Sequence, residues 1–278
     1  MLRQKWVVFV VDLELLTRKY FINVEDVPYN LKKGGVIFIK PILLRNAETY
    51  DWAKQCIEID KNSINNIDVI KSSYLGFLMD YCFDKTQETE IEAQLKTLLN
   101  LCLNIEYAIF TKDKGKHCIA ICDKDGNIKQ IINNKEFDDI SKIILFQNNP
   151  SYDDRYINPE VKEMLAEYYK VKYKDMNIPS MEKKKGFVSS KLGKTFKELN
   201  DLTYREFCVI YDELLAEDNY FIYKIVASNF QDTTINETLH PLFEKKHDIY
   251  EELFTSTNVL ADKGISGAEQ LNALNMTK

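Results

Sequence analysis

The hydrophobic period of this chain changes twice along its length, and this limits the possible folds more than any other feature. Between residues 50 and 102 apolar residues recur every three or four positions, as core-facing helices require. From residue 105 to 132 the pattern instead indicates three short strands, joined by turns that contain Gly115 and Gly126. Helical spacing returns over residues 136–146. The sequence therefore predicts an α+β domain over residues 1–147, with a three-stranded antiparallel meander near residues 105–132.

Three apolar stripes predict the helices that precede the meander. Their members are Tyr50, Ala53 and Ile57; then Ile67, Ile70, Tyr74, Leu75, Leu78 and Tyr81; and last Ile91, Leu95, Leu98, Leu99 and Cys102. Two continuous apolar runs, residues 6–11 and 36–39, predict strands near the start of the chain.

The chain after residue 158 carries only helical patterns. Helices are predicted from Pro159, with Asn158 as its cap, and from Pro179-Ser180 to about Gly193. A capping box at residues 203–206 opens the longest helix, which runs to about residue 228, and a short helix follows Pro241. The predicted organisation is a linker at 148–158, a helical domain at 159–262 and a mobile polar tail at 263–278.

The charge balance disfavours nucleic acid as a partner. Lysine and arginine number 37 against 43 aspartates and glutamates, which leaves a formal charge of −6. Proteins that bind duplex nucleic acid concentrate basic charge, since phosphate neutralisation supplies most of their affinity. The short run Lys183-Lys184-Lys185 is typical of a solvated helix face.

The apolar run at residues 6–11 is too short to span a bilayer, so we expect a soluble protein that stays in the compartment where it is made.

Two segments resemble metal sites without completing one. His117, Cys118 and Cys122 offer zinc donors, but a structural zinc site needs four ligands, and buried small side chains explain both cysteines. Residues 123–127 resemble the start of a calcium loop, yet Ile128 stands where glycine is needed and Asn134 where glutamate is needed. We predict no metal and no cofactor. The six cysteines are expected to be free thiols in a reducing compartment.

The stretch FQNNPSYDDRYINPE, residues 146–160, contains the candidate site: Tyr152, Asp153, Asp154, Arg155 and Tyr156. Tyrosine and arginine dominate protein-binding hot spots, so these residues indicate either a binding surface or a packed joint between domains. The alternative is a metal-dependent hydrolase or nuclease that uses Asp153 and Asp154 with a distant carboxylate such as Glu160. Hydrolase, phosphate-loop and dinucleotide motifs are missing from the sequence, so we predict no enzymatic activity.

Three segments carry a resemblance to a known group of proteins. They are IEIDKNSINNIDVIKSSYLGFLMDY (57–81), KIILFQNNPSYDDRYINPEVKEML (142–165), and LTYREFCVIYDELLAEDNYFIYKIVAS with the later HPLF (202–228 and 240–243). Together they resemble virion morphogenesis proteins, of the tail-assembly type, from tailed phages of Gram-positive hosts. The resemblance implies a non-enzymatic, chaperone-like structural role in the host cytoplasm, with other phage structural proteins as partners. It leaves open whether the protein forms an oligomer, stays in the mature particle or instead inhibits a host protein.

Overall fold

The computed structural model describes residues 11–61, 64, 66–84, 86–152, 159–172 and 179–230. It confirms the predicted α+β class, with helices and two small antiparallel sheets up to about residue 148 and helices after it. The chain divides into two compact units, Met1–Leu214 and Leu215–Lys278. Residues 6–10 of the predicted strand at 6–11, the Asn158 cap, the helix after Pro241 and the tail at 263–278 lie outside the described residues.

The described helices are mostly short. Before the meander they are α1 Leu13–Leu16, α2 Ala47–Ala53, α3 Gln55–Glu58, α4 Ile67–Lys71, α5 Tyr74–Phe77 and α6 Glu90–Leu103. After it they are α7 Asn134–Asn148, α8 Pro159–Lys172, α9 Met181–Leu192, α10 Phe196–Asn200 and α11 Tyr204–Phe230. Single turns of π-helix at Thr17–Phe21 and Leu78–Cys82, and a 3₁₀ turn at Leu44–Asn46, complete the helical elements. None of the helices in the described ranges is long and apolar enough to cross a membrane.

The two sheets differ in how completely the sequence predicts them. The meander consists of β3 Ala108–Asp113, β4 Lys116–Cys122 and β5 Ile128–Asn133, paired antiparallel in the order β3-β4-β5, as predicted. The predicted strand β2, Val36–Ile39, pairs antiparallel with β1, Val27–Asn30, which the sequence analysis missed. Pro28 lies inside β1, and proline within a short run argues against a strand unless that strand lies at an edge.

The main hydrophobic core lies between the two sheets and helices α2, α5, α6 and α7. Each element contributes the apolar face that its period predicts, such as Leu95 and Leu98 from α6 and Ile140 and Ile144 from α7. These four side chains are at most 1% exposed. Helix α6 ends where Asn104 adopts a left-handed conformation, with φ of 56°, which returns the chain toward the meander.

The stripe predicted over residues 67–81 is only partly correct. The chain forms α4, α5 and a π-helical turn there instead of one continuous helix, because Ser72 and Ser73 are extended and Ser73 caps α5. Leu75 and Leu78 are buried, whereas Ile67 is 67% exposed and Ile70 is 44% exposed. The two extended residues interrupt the helical period, so a single apolar stripe cannot be maintained.

A second, smaller core joins the two predicted domains within the first compact unit. It contains Leu44 and Ala47 from the N-terminal part and Val188, Leu199 and Phe207 from the helical part. The backbone continues this contact, since the N–H of Leu44 donates to the carbonyl of Leu202 at 2.8 Å. The predicted boundaries at 148–158 and 262 stay predictions.

The second compact unit is described only over residues 215–230, the C-terminal half of α11. Apolar side chains in this half are well exposed: Phe221 is 52% exposed and Ile222 is 60% exposed.

Candidate functional site

Tyr152 is the member of the predicted site that the structure describes; Asp153, Asp154, Arg155 and Tyr156 lie outside the described residues. The ring of Tyr152 packs edge-on against Phe146, with 4.9 Å between ring centroids. Its backbone N–H donates to the carbonyl of Asn149 at 3.2 Å, which closes a turn after α7. Tyr152 therefore packs against the main core of the α+β part. The binding-surface and joint interpretations of the five residues both stay predictions.

A cleft of about 120 Å³ lies beside this turn, and we call it the seam cleft. Three elements line it: residues 149–151 after α7, Met181 and Lys184 at the start of α9, and five residues in the first turns of α11. The five are Tyr204, Phe207, Cys208, Tyr211 and Asp212. The sequence pattern does not indicate these α11 residues as a site, because their apolar spacing also fits plain core packing.

Backbone pairing and a helix cap hold α11 in place beside the cleft. Leu43 and Thr203 form an isolated antiparallel bridge, and the N–H of Tyr204 donates to the carbonyl of Ile42 at 2.7 Å. The predicted capping box is confirmed: the N–H of Thr203 donates to Glu206 Oε2 at 2.7 Å, and Thr203 Oγ1 accepts from the Glu206 N–H at 3.2 Å. These bonds fix the first turn of α11 relative to the N-terminal part.

Tyr204 forms one wall of the cleft and is itself anchored at both ends. Its hydroxyl donates to Asp51 Oδ2 at 3.1 Å, and its ring packs edge-on against Tyr50 at 6.0 Å. Burial, together with the nearby Asp51 carboxylate, raises the pKa of Tyr204, so the phenol stays protonated near neutral pH. The next residue, Arg205, donates to the carbonyl of Phe146 at 2.6 Å.

Phe207, Tyr211 and Lys184 line the other side of the cleft, and Phe187 and Lys191 pack next to them. Phe207 stacks on Tyr211 at 6.4 Å, and Phe187 meets Tyr211 edge-on at 5.8 Å. The Nζ atom of Lys184 lies 5.4 Å from the centroid of Tyr211, and that of Lys191 lies 5.7 Å from the centroid of Phe187. Cation–π contacts of this kind hold flexible lysines beside the rings. We call Phe187, Phe207 and Tyr211 the aromatic cluster.

The chemistry of the seam cleft is that of a binding pocket for an apolar group. Burial raises the pKa of Cys208 to about 11, so its sulfur is a thiol near neutral pH and a poor nucleophile. Pockets for small ligands usually measure about 300–1,000 Å³, well above the volume here. A single apolar side chain of a protein partner fits this space better than a cofactor does.

Two larger, adjoining clefts of about 370 and 460 Å³ lie at one end of the meander. Both are lined by Ile105, Tyr107, Cys122, Asp123 and Lys124. The carboxylate of Asp123 is already used within its turn, since it accepts from the N–H groups of Asp125 at 3.0 Å and Asn127 at 2.9 Å. The segment that resembled a calcium loop therefore serves as a hairpin turn.

The candidate zinc donors lie in different surroundings. Cys118 and Cys122 are buried free thiols on β4. His117 Nε2 lies 2.9 Å from Asp80 Oδ2, in a polar contact that links β4 to the π-helical turn at Leu78–Cys82. Within the described ranges, no group of three or more histidine, cysteine, aspartate or glutamate side chains is arranged to hold a metal ion.

The adjacent carboxylates Asp138 and Asp139 lie beyond the first turn of α7. The helix begins at Asn134, and its first-turn carboxylate is Glu136. Asp139 Oδ2 accepts from the Tyr29 hydroxyl at 2.7 Å. Burial, and next the charge of Asp139, raises the pKa of Asp138 to about 6. The two side chains diverge along the helix and do not form a paired-carboxylate site.

Comparison with protein-family models, with curated proteins and with solved structures found no match for this chain.

Proposed function

We propose that this chain is a non-enzymatic, chaperone-like assembly protein of a tailed-phage particle, which binds other phage structural proteins through the seam cleft. The geometry of that cleft is the observation that carries the proposal. It is small and lined by tyrosine and phenylalanine, and it lies beside Tyr152, where the tyrosine- and arginine-rich segment begins. Aromatic pockets that accept one buried side chain are a common form of binding hot spot.

The contacts that hold the walls of the cleft in place favour binding without a rearrangement of the protein. Its α11 wall is held by the bridge between Leu43 and Thr203 and by the small core around Phe207, which is 1% exposed. A site that is already ordered loses less conformational entropy when a partner binds. This suits a protein that must hold apolar segments of other proteins during assembly.

The location that follows from this proposal is the host cytoplasm, with incorporation in the virion as a further step. The alternative function, a metal-dependent hydrolase or nuclease, depends on Asp153 and Asp154, which lie outside the described residues. No contact of a described residue favours that alternative over binding.

The experiment is co-expression of the full chain with each structural protein encoded by neighbouring genes, followed by size-exclusion chromatography of the purified mixture. We expect one of these proteins to elute together with the chain. Cys208→Leu should abolish this complex, because the larger side chain fills the cleft. Cys208→Ala leaves the cleft open and should retain the complex.

Two results would contradict the proposal. If none of the structural proteins forms a complex, the assembly role is wrong. If Cys208→Leu keeps both the complex and an unchanged melting temperature, the seam cleft is not the binding site.

A further inference from the structure

We infer that the seam cleft takes an acidic partner segment, which places one apolar side chain in the cleft and its carboxylates along the lysines of α9. This inference rests on the proposed function and adds the chemistry of the partner. Such a segment would be recognised by charge on one side and by apolar burial on the other.

The segment beside the seam cleft is rich in positive charge, and this is the first observation that favours an acidic partner. Residues 181–200, which include α9 and α10, contain six lysines against two glutamates, in a chain whose overall charge is −6. Lys184 brings part of this positive charge to the cleft, because it belongs to the lining. A partner approaching the cleft therefore meets a positive rim on the α9 side.

The second observation that favours an acidic partner is how these lysines are paired. Among the described residues neither Lys183 nor Lys184 forms a salt bridge, whereas Lys54 bonds Asp51 at 3.6 Å and Lys96 bonds Glu92 at 2.9 Å. Lys185 differs from its neighbours, since its Nζ atom donates to Asn200 at 2.8 Å. Lys183 and Lys184 thus retain the capacity to pair with carboxylates of a partner.

The position of Lys184 connects the charge to the cleft. Its ammonium group lies 5.4 Å from the centroid of Tyr211, so the aliphatic part of the side chain covers the aromatic cluster. An apolar side chain entering the cleft would touch Tyr211 and the aliphatic part of Lys184 together. The ammonium group would then meet a carboxylate about one helical turn away on the same partner segment.

The acidic residues near the cleft set the direction of the partner. Asp212 is part of the lining, on the α11 side, and has an interaction of its own. Glu182 lies in the first turn of α9 and is exposed. The carboxylates of the partner should therefore run along Lys183 and Lys184 and away from Asp212.

Nucleic acid fits this surface less well than an acidic peptide. Single strands bind by stacking bases on open aromatic faces. Tyr211 is stacked by Phe207 and covered by Lys184, and Phe207 is 1% exposed. The rings therefore offer a pocket for a side chain and not a platform for a base.

The test uses a fluorescein-labelled 16-residue helical peptide with glutamates on one face and a single central leucine, titrated with the full chain by fluorescence polarisation. We expect saturable binding that weakens about ten-fold when salt rises from 0.05 to 0.5 M. Reversing the charge of both lysines, Lys183→Glu with Lys184→Glu, should weaken binding at least about ten-fold. The matched control is Lys116→Glu with Lys124→Glu, which makes the same charge change at two exposed positions of the meander and should bind nearly as the unmodified chain does.

Several outcomes would overturn the inference. The first two are no saturable binding below about 1 mM and equal binding of a peptide with lysine in place of glutamate. The other two are equal losses of affinity in the two double variants and displacement of the peptide by a single-stranded oligonucleotide.

A different result separates this inference from the proposed function. If the Lys183→Glu, Lys184→Glu variant still binds the structural protein but Cys208→Leu does not, the assembly role stands and the acidic partner is wrong.

Discussion

At the scale of single residues, Gly76 lies where α5 meets His117, and the space there leaves no room for a side chain. A β-carbon on Gly76 would lie 2.9 Å from Ser73 Oγ and 3.0 Å from His117 Nδ1. Ser73 Oγ already accepts from the Gly76 N–H at 3.0 Å, and His117 is paired to Asp80. Ser73 cannot shift without losing its hydrogen bond, and His117 cannot shift without moving away from Asp80. We therefore expect Gly76→Ala to lower the free energy of unfolding by about 1–3 kcal/mol, measured by urea denaturation.

Gly186 in α9 provides the matched control for that substitution. No atom lies within 4 Å of the β-carbon that Gly186→Ala would add. Alanine favours a helix interior over glycine, so this variant should raise the free energy of unfolding by about 0.5–1 kcal/mol. A fall of similar size in both variants would show that backbone effects, and not the contact with His117, explain the loss at Gly76.

The cysteines show what residue type alone predicts and what it leaves out. Cys56 and Cys102 are fully buried, as expected for small apolar side chains in helical patterns. Cys82 and Cys208 had the same expectation but are only partly buried. Cys208 reaches the seam cleft because it follows the buried Phe207 by one residue, about 100° around the helix. Helical spacing places such a residue at the edge of the buried face, and only the packed neighbours decide whether that edge is covered.

At the scale of single elements, two capping boxes allow the same substitution to be compared in two environments. Thr203 is 2% exposed and caps α11, while Thr195 is exposed and caps the short helix α10 with Glu198 in the same arrangement. Thr203→Ala should lower the free energy of unfolding by about 1–2 kcal/mol, because it leaves buried polar groups without partners. Thr195→Ala should cost only about 0.5 kcal/mol, since water can replace the lost bond.

Chemical denaturation of both threonine variants, with circular dichroism as the signal, checks this difference. Equal losses would mean that burial does not increase the value of the cap. A loss in Thr203→Ala accompanied by weaker binding at the seam cleft would further show that this cap positions the α11 wall of the cleft.

The ends of helices were predicted correctly from the sequence where the local signals were strong. The Thr203–Glu206 cap and the Gly193 end of α9 are local signals, and both are found in the structure, where Gly193 has φ of 65°. Strand β1 was missed because Pro28 weakens the local strand pattern, and its pairing with β2 supplies the compensation. The helix expected over residues 67–81 was broken by Ser72 and Ser73, whose extended conformation no apolar period reports.

At the scale of the whole molecule, the class of fold could be predicted but the candidate site could not. The α+β class follows from the change of hydrophobic period, which is a property of neighbouring residues. The seam cleft instead depends on the bridge between Leu43 and Thr203, two residues far apart in the chain. Tyr152 was singled out by its residue type, and its role in a site stays a prediction. Tyr211 and Lys184, which line the cleft, were not singled out, because an aromatic residue or a lysine in a helical pattern is usually core or solvated surface.

The dependence of stability on pH is a further property of the whole molecule, and Asp138 gives it a definite direction. Burial raises the pKa of Asp138 to about 6, against about 3.9 for an aspartate in an unfolded chain. The folded protein therefore binds this proton more tightly than the unfolded chain does. As the pH rises from about 4 to above 6, Asp138 takes stability away from the fold, and the full penalty is present at higher pH.

Asp138→Asn removes this charge and tests that direction. Because the side chain is only partly buried, we expect a gain of about 1 kcal/mol in the free energy of unfolding at pH 7.5 and almost none at pH 4, where the native carboxyl is already protonated. Urea denaturation of both proteins at the two pH values provides the measurement. Equal gains at both pH values would show that the amide improves packing or hydrogen bonding, and that the ionisation of Asp138 does not limit the stability of this fold.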